Sequence, residues 1–320
     1  MTYKHKHMGG VDKHWVICMV SNPVRYRSRY ETFEKFKHGV ERAGANLIIV
    51  ELALGDRPFE VTEENNPHHV QLRVWDEIWH KENALNLAIQ RLPNDWEYVT
   101  WLDADIEFQR HDWVHEIVHS LQHYMVIQPW ATCVDMGHKG QAQRVQESFM
   151  YCWVNGLPPA YSRKDPYHPT KGPAHHPGYA WSARREAIDA LGGLMDFPIL
   201  GAADHHMAQA LIGKVIEHAP KNVSAGYKRE LLNWQERANI HIRQDVGYMD
   251  GTIFHHYHGR KADRKYTDRW QILFKHDYNP DQDLKRDWQG LWQLTHKGER
   301  MRNDIRAYFR QRDEDNPNDE

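Results

Sequence analysis

The chain alternates short, wholly apolar runs with longer stretches whose apolar positions recur every three or four residues. Residues 15–20 form a short β-branched run that reads as a buried strand, closed by the turn residues Ser21, Asn22 and Pro23. Between 29 and 43 the positions Tyr30, Phe33, Phe36, Val40 and Ala43 follow helical spacing, and Gly44 stands where a helix ends. A second apolar run follows at 47–52. Strand, helix and strand in succession make a βαβ unit, whose crossover leaves the two strands parallel.

The alternation continues. A helix is predicted over 81–92, with Leu85, Ala88, Ile89 and Leu92 on one face and Pro93 after it. Strands follow at 98–102 and 125–129, with a helix at 111–123 between them. Residues 137–177 differ: glycines (Gly137, Gly140, Gly156, Gly172) and prolines accumulate and periodicity fades, which predicts a long functional loop. Helical patterns resume at 182–191, before Gly192 and Gly193, and at 204–212, before Gly213. Two stripes close the chain, one of Leu284, Trp288, Leu291, Trp292 and Thr295, the other of Met301, Ile305, Tyr308 and Phe309. They predict a helical C-terminal extension over 276–312, and the acidic residues 313–320 predict a disordered tail.

No apolar run reaches the roughly 18 residues of a membrane span, and the N-terminus lacks the apolar stretch of a signal peptide. The cysteines Cys18, Cys133 and Cys152 are too few and scattered for a disulfide framework or a zinc knuckle. A cytoplasmic protein with reduced thiols is the expectation. Among 320 residues, 40% are hydrophobic and 27% charged, and the net charge is −3, so neither a polycation nor a disordered chain is at hand. The outliers are 24 His and 13 Trp, which raise a metal site or an aromatic-lined pocket.

Three segments concentrate chemistry. Leu102-Asp103-Ala104-Asp105-Ile106 places two carboxylates just past a buried strand, where open α/β sheets bind ligands. Two residues apart in an extended strand they would point the same way and jointly hold a hard divalent cation and a ribose. Gly201-Ala202-Ala203-Asp204-His205-His206 opens a helix, and Asp204 is there either an N-cap or a general base. In Phe254-His255-His256-Tyr257-His258-Gly259-Arg260, alternation puts His256 and His258 on one face and His255 on the other. Imidazoles there suit manganese completing a carboxylate site. Lys261, Arg264, Lys265 and Arg269 follow, fit for a diphosphate or an anionic acceptor. Trp75, Trp79, Trp101, Trp130, Trp153 and Trp181 serve as stacking platforms or as core.

In this order the motifs resemble those of GT-A fold nucleotide-sugar glycosyltransferases, nearest the family-2 and β-1,4-galactosyltransferase C-terminal types, over roughly residues 15–260. Lys81-Glu82-Asn83-Ala84-Leu85-Asn86 resembles the helix before the metal strand, and Leu102–Ile106 the D-x-D motif. Pro177-Gly178-Tyr179-Ala180-Trp181-Ser182-Ala183, Leu191-Gly192-Gly193-Leu194 and Gly201–Asp204 resemble the segment that runs from donor pocket to catalytic base.

The resemblance implies a Rossmann-like α/β domain over 12–275, with a mostly parallel central sheet flanked by helices. Its donor half would cover 12–135, its flexible loop 137–177 and its acceptor half 178–275. It implies Mn²⁺ or Mg²⁺ on Asp105 and His258, with Asp103 and His256 as further ligand candidates. A nucleoside diphosphate sugar, with uridine as the base, would be held by Ser21, Asn22, Glu51, Lys81, Asn83, Asp103, Trp181, Arg260 and Lys261. Asp204 would deprotonate the acceptor hydroxyl for in-line displacement at the anomeric carbon. Two positions depart from the family. Ala203 replaces the Glu that helps hold an acceptor sugar, and His205 replaces an acid after the base.

The sequence also resembles chains of tailed bacteriophages, where such enzymes can decorate hydroxymethylated DNA bases, which would place it in the host cytoplasm with DNA as the acceptor. Between 285 and 312 eight Lys or Arg stand against three Asp or Glu, a local excess that could face DNA. Two other functions would use the same residues: a divalent-metal phosphoester hydrolase, and a non-catalytic module that binds nucleotide sugars. An enzyme that forms sugar nucleotides would need a Gly-rich basic triphosphate loop near the N-terminus, and the sequence offers none.

Overall fold

The computed structural model describes residues 10–157, 175–260, 265 and 268–316. The first half is built as the hydrophobic pattern requires. β1 (His14–Ser21), α1 (Arg27–Arg42), β2 (Asn46–Leu54), β3 (His69–Val74), α2 (Lys81–Ile89) and β4 (Tyr98–Leu102) follow one another. Strands β4, β1, β2 and β3 lie side by side and parallel. All five residues of β4 are buried, as expected of a strand covered on both faces. Period-two alternation divides β1 between two cores: Ile17 packs with Ala84, Leu85 and Ala88 of α2, whereas Val16, Cys18 and Val20 pack with Phe33, Phe36 and Val40 of α1.

Beyond β4 come β5 (Ile106–Phe108), α3 (Trp113–Ser120), β6 (Val126–Gln128), β7 (Thr132–Met136), β8 (Ala142–Ser148) and α4 (Phe149–Val154). After the undescribed 158–174 follow β9 (His175–His176), β10 (Ala180–Arg184), α5 (Arg185–Leu191), α6 (Ala203–Leu211), α7 (Val215–His218) and α8 (Ala225–Arg237). β11 (Val246–Tyr248), β12 (Thr252–His255), α9 (Asp268–Lys275), α10 (Pro280–Asp283), β13 (Leu284–Arg286), β14 (Trp292–Leu294) and α11 (Arg302–Arg310) complete the chain. The central sheet has the order β11-β6-β10-β4-β1-β2-β3, with β10 antiparallel to both its neighbours. A second sheet, β5-β12-β7-β8-β9, stands beside it. The fold is a mixed α/β one with a mostly parallel central sheet flanked by helices.

Four expectations are corrected. The stretch 137–177 is not one long loop, because 142–148 form β8 and 149–154 form α4, whose first turn is capped by Ser148 accepting from the Tyr151 N–H at 3.0 Å. Residues 182–184 belong to β10 rather than to a helix. Leu284 and Leu291 lie on a hairpin instead of a helix, since the Asp287 carboxylate turns the chain by accepting from the N–H groups of Gln289 and Leu291 at 2.8 and 2.9 Å. Gly290 takes the left-handed conformation that this turn needs (φ +88°). Hairpin and α11 then bury Leu284, Leu291, Leu294, Ile305 and Tyr308 in the core that holds α2.

The fourth correction concerns the acidic tail. Residues 313–316 are ordered against the start of α1. Arg29 donates to both Glu314 carboxylate oxygens at 2.9 and 2.5 Å, and Asp315 accepts from the N–H groups of Arg27 and Ser28 at 3.0 and 2.9 Å. Residues 317–320 lie outside the described ones. No helix among the described residues is long and apolar enough to cross a membrane.

Candidate active site

A cavity of about 700 Å³ opens at the carboxyl ends of β1, β2 and β4. Ser21 and Asn22 line it from the end of β1, Lys81 and Glu82 from the first turn of α2, Asp103 and Asp105 from the turn after β4. Asp204 enters from α6, and His255 and His258 from the end of β12. The fold thus brings side chains from five separate segments to one place.

The two carboxylates of the Asp-Ala-Asp motif part company. The chain turns immediately after Leu102, so they do not share a strand face. Asp103 takes the Lys81 ammonium in a close ion pair. Burial works against the charge on Lys81, but Asp103, Glu82 and Asp204 outweigh it and raise its pKa. Asp105 instead faces two imidazoles: His258 Nδ1 lies 2.6 Å from its Oδ2 and His255 Nε2 3.8 Å from its Oδ1. One donor atom from each of Asp105, His255 and His258 lies within 4.8 Å of the others.

That donor set fits a divalent ion. One carboxylate and two imidazoles suit Mn²⁺ better than Mg²⁺, which favours oxygen. Asp103 and His256 stand apart from it. β12 ends at His255, so strand parity no longer orders the side chains beyond. The His256 backbone N–H donates to the Asp105 carbonyl at 2.9 Å, and its ring pairs with Glu107 at 3.2 Å.

Asp204 is the second residue of α6, so it is not the N-cap; that position is Ala202, with a left-handed φ of +81° and no capping side chain. Asp204 Oδ1 accepts from the His205 N–H at 2.8 Å. Burial opposes its ionisation, yet Lys81, His176, the His205 N–H and Arg269 outweigh burial and hold its pKa below the usual carboxylate value. A carboxylate is therefore present at neutral pH. Glu82 behaves oppositely: burial pushes it up to about 7, and the Trp79 indole N–H donates to it at 3.0 Å. Burial also lowers His205 to about 4, so it stays neutral beside Asp204.

Several expected donor contacts lie elsewhere. Glu51 is buried outside the cavity and holds the 60–62 loop, accepting from the Glu60, Val61 and Thr62 N–H groups and the Thr62 hydroxyl. Asn83 is fully buried and ties down the C-terminal hairpin through the Gly290 carbonyl and the Trp292 N–H. Trp181 is core, its indole donating to the Pro177 carbonyl at 2.7 Å. Arg260 is not among the lining residues, and Lys261 lies outside the described residues. Asn22 lines the cavity while its amide clamps both backbone groups of Tyr26.

Three arginines that no sequence motif marks line the cavity, as does Trp79, one of the stacking candidates. Arg29, Arg144 and Arg312 supply positive charge to the cavity wall, and Trp79 stacks on Phe309 there at 6.4 Å. Position just after β1 could have signalled Arg29; nothing local marks Arg312. The basic excess at 285–312 is largely spent inside the molecule. Arg286 pairs with Asp196, Arg300 with Asp283, Arg302 with Asp76, and Arg306 and Arg310 with Glu77.

No family profile and no curated protein matches the chain. Solved structures do. A protein described as a nucleotide-diphospho-sugar transferase from Desulfovibrio desulfuricans G20 aligns at 11% identity and a TM-score of 0.32, over 76% of this chain and 81% of that one. A variant of Drosophila β-1,4-galactosyltransferase 7, in complex with manganese, UDP-Gal and xylobiose, aligns at 12% identity and a TM-score of 0.37, over 90% and 97%. A protein described as a glucose-1-phosphate thymidylyltransferase from Bacillus anthracis, in complex with sucrose, aligns at 9% identity and a TM-score of 0.36, over 75% and 88%.

Proposed function

We propose that the chain is a metal-dependent glycosyltransferase that moves a sugar from a nucleoside diphosphate sugar, read as a UDP-sugar from its motifs, to an acceptor hydroxyl. The observation that carries this reading is the meeting of two groups in one cavity: the Asp105, His255 and His258 cluster and the Asp204 carboxylate. A bound divalent ion would neutralise the departing diphosphate.

The residues divide the remaining work. Asp204 accepts the acceptor's hydroxyl proton as that oxygen bonds to the anomeric carbon, while the carbon–oxygen bond to the diphosphate breaks and its electron pair leaves with the phosphate. The Lys81 ammonium, paired with Asp103, also lowers the pKa of Asp204 and so keeps the base ionised. Arg29 and Arg312 share one carboxylate, Glu314, and so leave a net positive charge on the wall on which an anionic donor would rest. A DNA acceptor draws little support from the 285–312 segment, where Arg286, Arg300, Arg302, Arg306 and Arg310 are paired with internal carboxylates.

The test is thermal shift with a panel of nucleotide sugars, with and without Mn²⁺, followed by turnover with candidate acceptors. A ligand at a hundred times its Kd adds about 2.7 kcal/mol of stability. Stabilisation by one nucleotide sugar in the presence of Mn²⁺ is expected. No stabilisation by any of them would end the proposal, and phosphoester turnover without an acceptor would make the protein a hydrolase.

A further inference from the structure

Behind the metal-ligand cluster stands a second layer that the sequence motifs do not mention. β7 and β12 are parallel neighbours, and their register sets Asp135 beside His255. Asp135 is 3% exposed, and its Oδ1 lies 2.8 Å from His255 Nδ1. The same carboxylate receives the Tyr179 hydroxyl at 3.0 Å and the Gln146 amide at 3.3 Å, and that amide also donates to the Tyr179 hydroxyl at 2.7 Å. Tyr179 completes the cage with its ring, 4.5 Å from the His255 ring and stacked on His176 at 4.0 Å. It does so from a left-handed backbone (φ +73°), a conformation that a non-glycine residue keeps only when its surroundings impose it.

A carboxylate accepts hydrogen bonds and donates none. Two donors, the Tyr179 hydroxyl and the Gln146 amide, already converge on Asp135, as a buried carboxylate requires. Its partner on His255 must then be an N–H, so the imidazole proton sits on Nδ1. The lone pair is left on Nε2, the nitrogen that faces Asp105. Resting on the metal-dependent reading above, we infer that Asp135 is a positioning residue: it fixes the tautomer and the ring orientation of His255 and so makes His255 the third ligand of the Asp105–His258 site.

The consequence is specific. In Asp135→Asn the side chain keeps its shape but gains an N–H₂. With Gln146 still donating to Oδ2, the amide nitrogen takes the place of Oδ1, where it faces His255 Nδ1 and the Tyr179 hydroxyl, which can accept its second hydrogen. The imidazole proton then moves to Nε2, where it blocks coordination. Outer-layer partners of this kind are worth about 10–100-fold in metal affinity.

The experiment titrates MnCl₂ alone into the full-length protein, by calorimetry or by loss of the free-ion EPR signal, so that no turnover is needed. Asp135→Asn is expected to bind Mn²⁺ 10–100-fold more weakly than wild type at unchanged far-UV circular dichroism. The double variant Asp135→Asn/His255→Ala should bind no more weakly than His255→Ala alone, because Asp135 acts only through that ring. Wild-type binding with an equal affinity in Asp135→Asn would overturn the inference and leave the glycosyltransferase reading standing. Failure of the wild type to bind Mn²⁺ would remove the metal-dependent reading itself. Should the variant not fold, nitrogen-15 spectra of the wild-type histidines decide the matter: a proton on His255 Nδ1 supports the role of Asp135, and one on Nε2 overturns it.

Discussion

Gly178 and Asp204 share one space: a Cβ built on Gly178 would stand 2.5 Å from Asp204 Oδ2 and 2.9 Å from His176 Cε1. The absence of a side chain at 178 is thus what lets the carboxylate occupy its place. Gly178→Ala should displace Asp204 and His176 while leaving most of the core untouched. A misplacement near 1 Å costs on the order of 100-fold in rate, so kcat should fall by about that factor at nearly unchanged Tm. Steady-state kinetics beside a thermal melt make the check; full activity would show that Asp204 is free to sit elsewhere.

Asp204→Asn separates chemistry from binding. The amide cannot take the acceptor's proton, and transfer should drop by about 10²–10⁴-fold. Stabilisation by the nucleotide sugar should persist, because the donor-side groups around Asp105 are untouched. Equal turnover by the variant would assign the protein a different base or a purely binding role.

Glu82 makes stability depend on pH. Its pKa in the folded protein is about 7, against 4.5 in the unfolded chain. The folded state therefore holds a proton that the unfolded state loses first, and stability falls as pH rises from about 4.5 to about 7. Glu82→Gln keeps the hydrogen bond from Trp79 and removes this loss. The variant should match wild type at pH 4 and exceed it at pH 8 by up to roughly 3 kcal/mol, the free energy of the shift. Urea melts at the two pH values measure it; parallel stability curves would show that Glu82 ionises freely in the fold.

Glu77 decides whether the C-terminal helix presents a basic face. Its side chain is 9% exposed and holds both Arg306 and Arg310. Wild type should bind duplex DNA weakly, with a shallow dependence on salt. Glu77→Ala releases two guanidinium groups and should steepen the slope of log K against log salt by up to about 1.8. A steep slope already present in wild type would restore DNA as a candidate acceptor.

How much of this was legible depends on where each residue sits. β1, β2 and β4 are buried on both faces, so their apolar runs were unambiguous, and α1 and α2 carried clean helical stripes. β8 was hidden because it lies outside the main cores, and most of its residues are polar and exposed or half-buried. Leu284 and Leu291 have a spacing that serves a helix or a hairpin equally, and Asp287 decided between them. Strand parity failed at the two ends that matter most, after Leu102 and after His255, where the chain leaves the sheet. This is why Asp103 turned to Lys81 and why His255 joined His258 in place of His256. The tail looked solvated because its partner, Arg29, lies 285 residues away in sequence.

That last pairing bears on how the protein is made. The bonds that join Arg27, Ser28 and Arg29 to Glu314 and Asp315 close loops of 285 to 288 residues, and Arg29, Arg312 and Glu314 all border the cavity. During synthesis the βαβ units can form as they emerge, since their contacts are local, whereas contacts between distant residues come last. A chain that has not reached residue 314 therefore lacks part of the cavity wall and the carboxylate that holds Arg29. The cavity thus depends on a segment made long after the sheet that forms its floor.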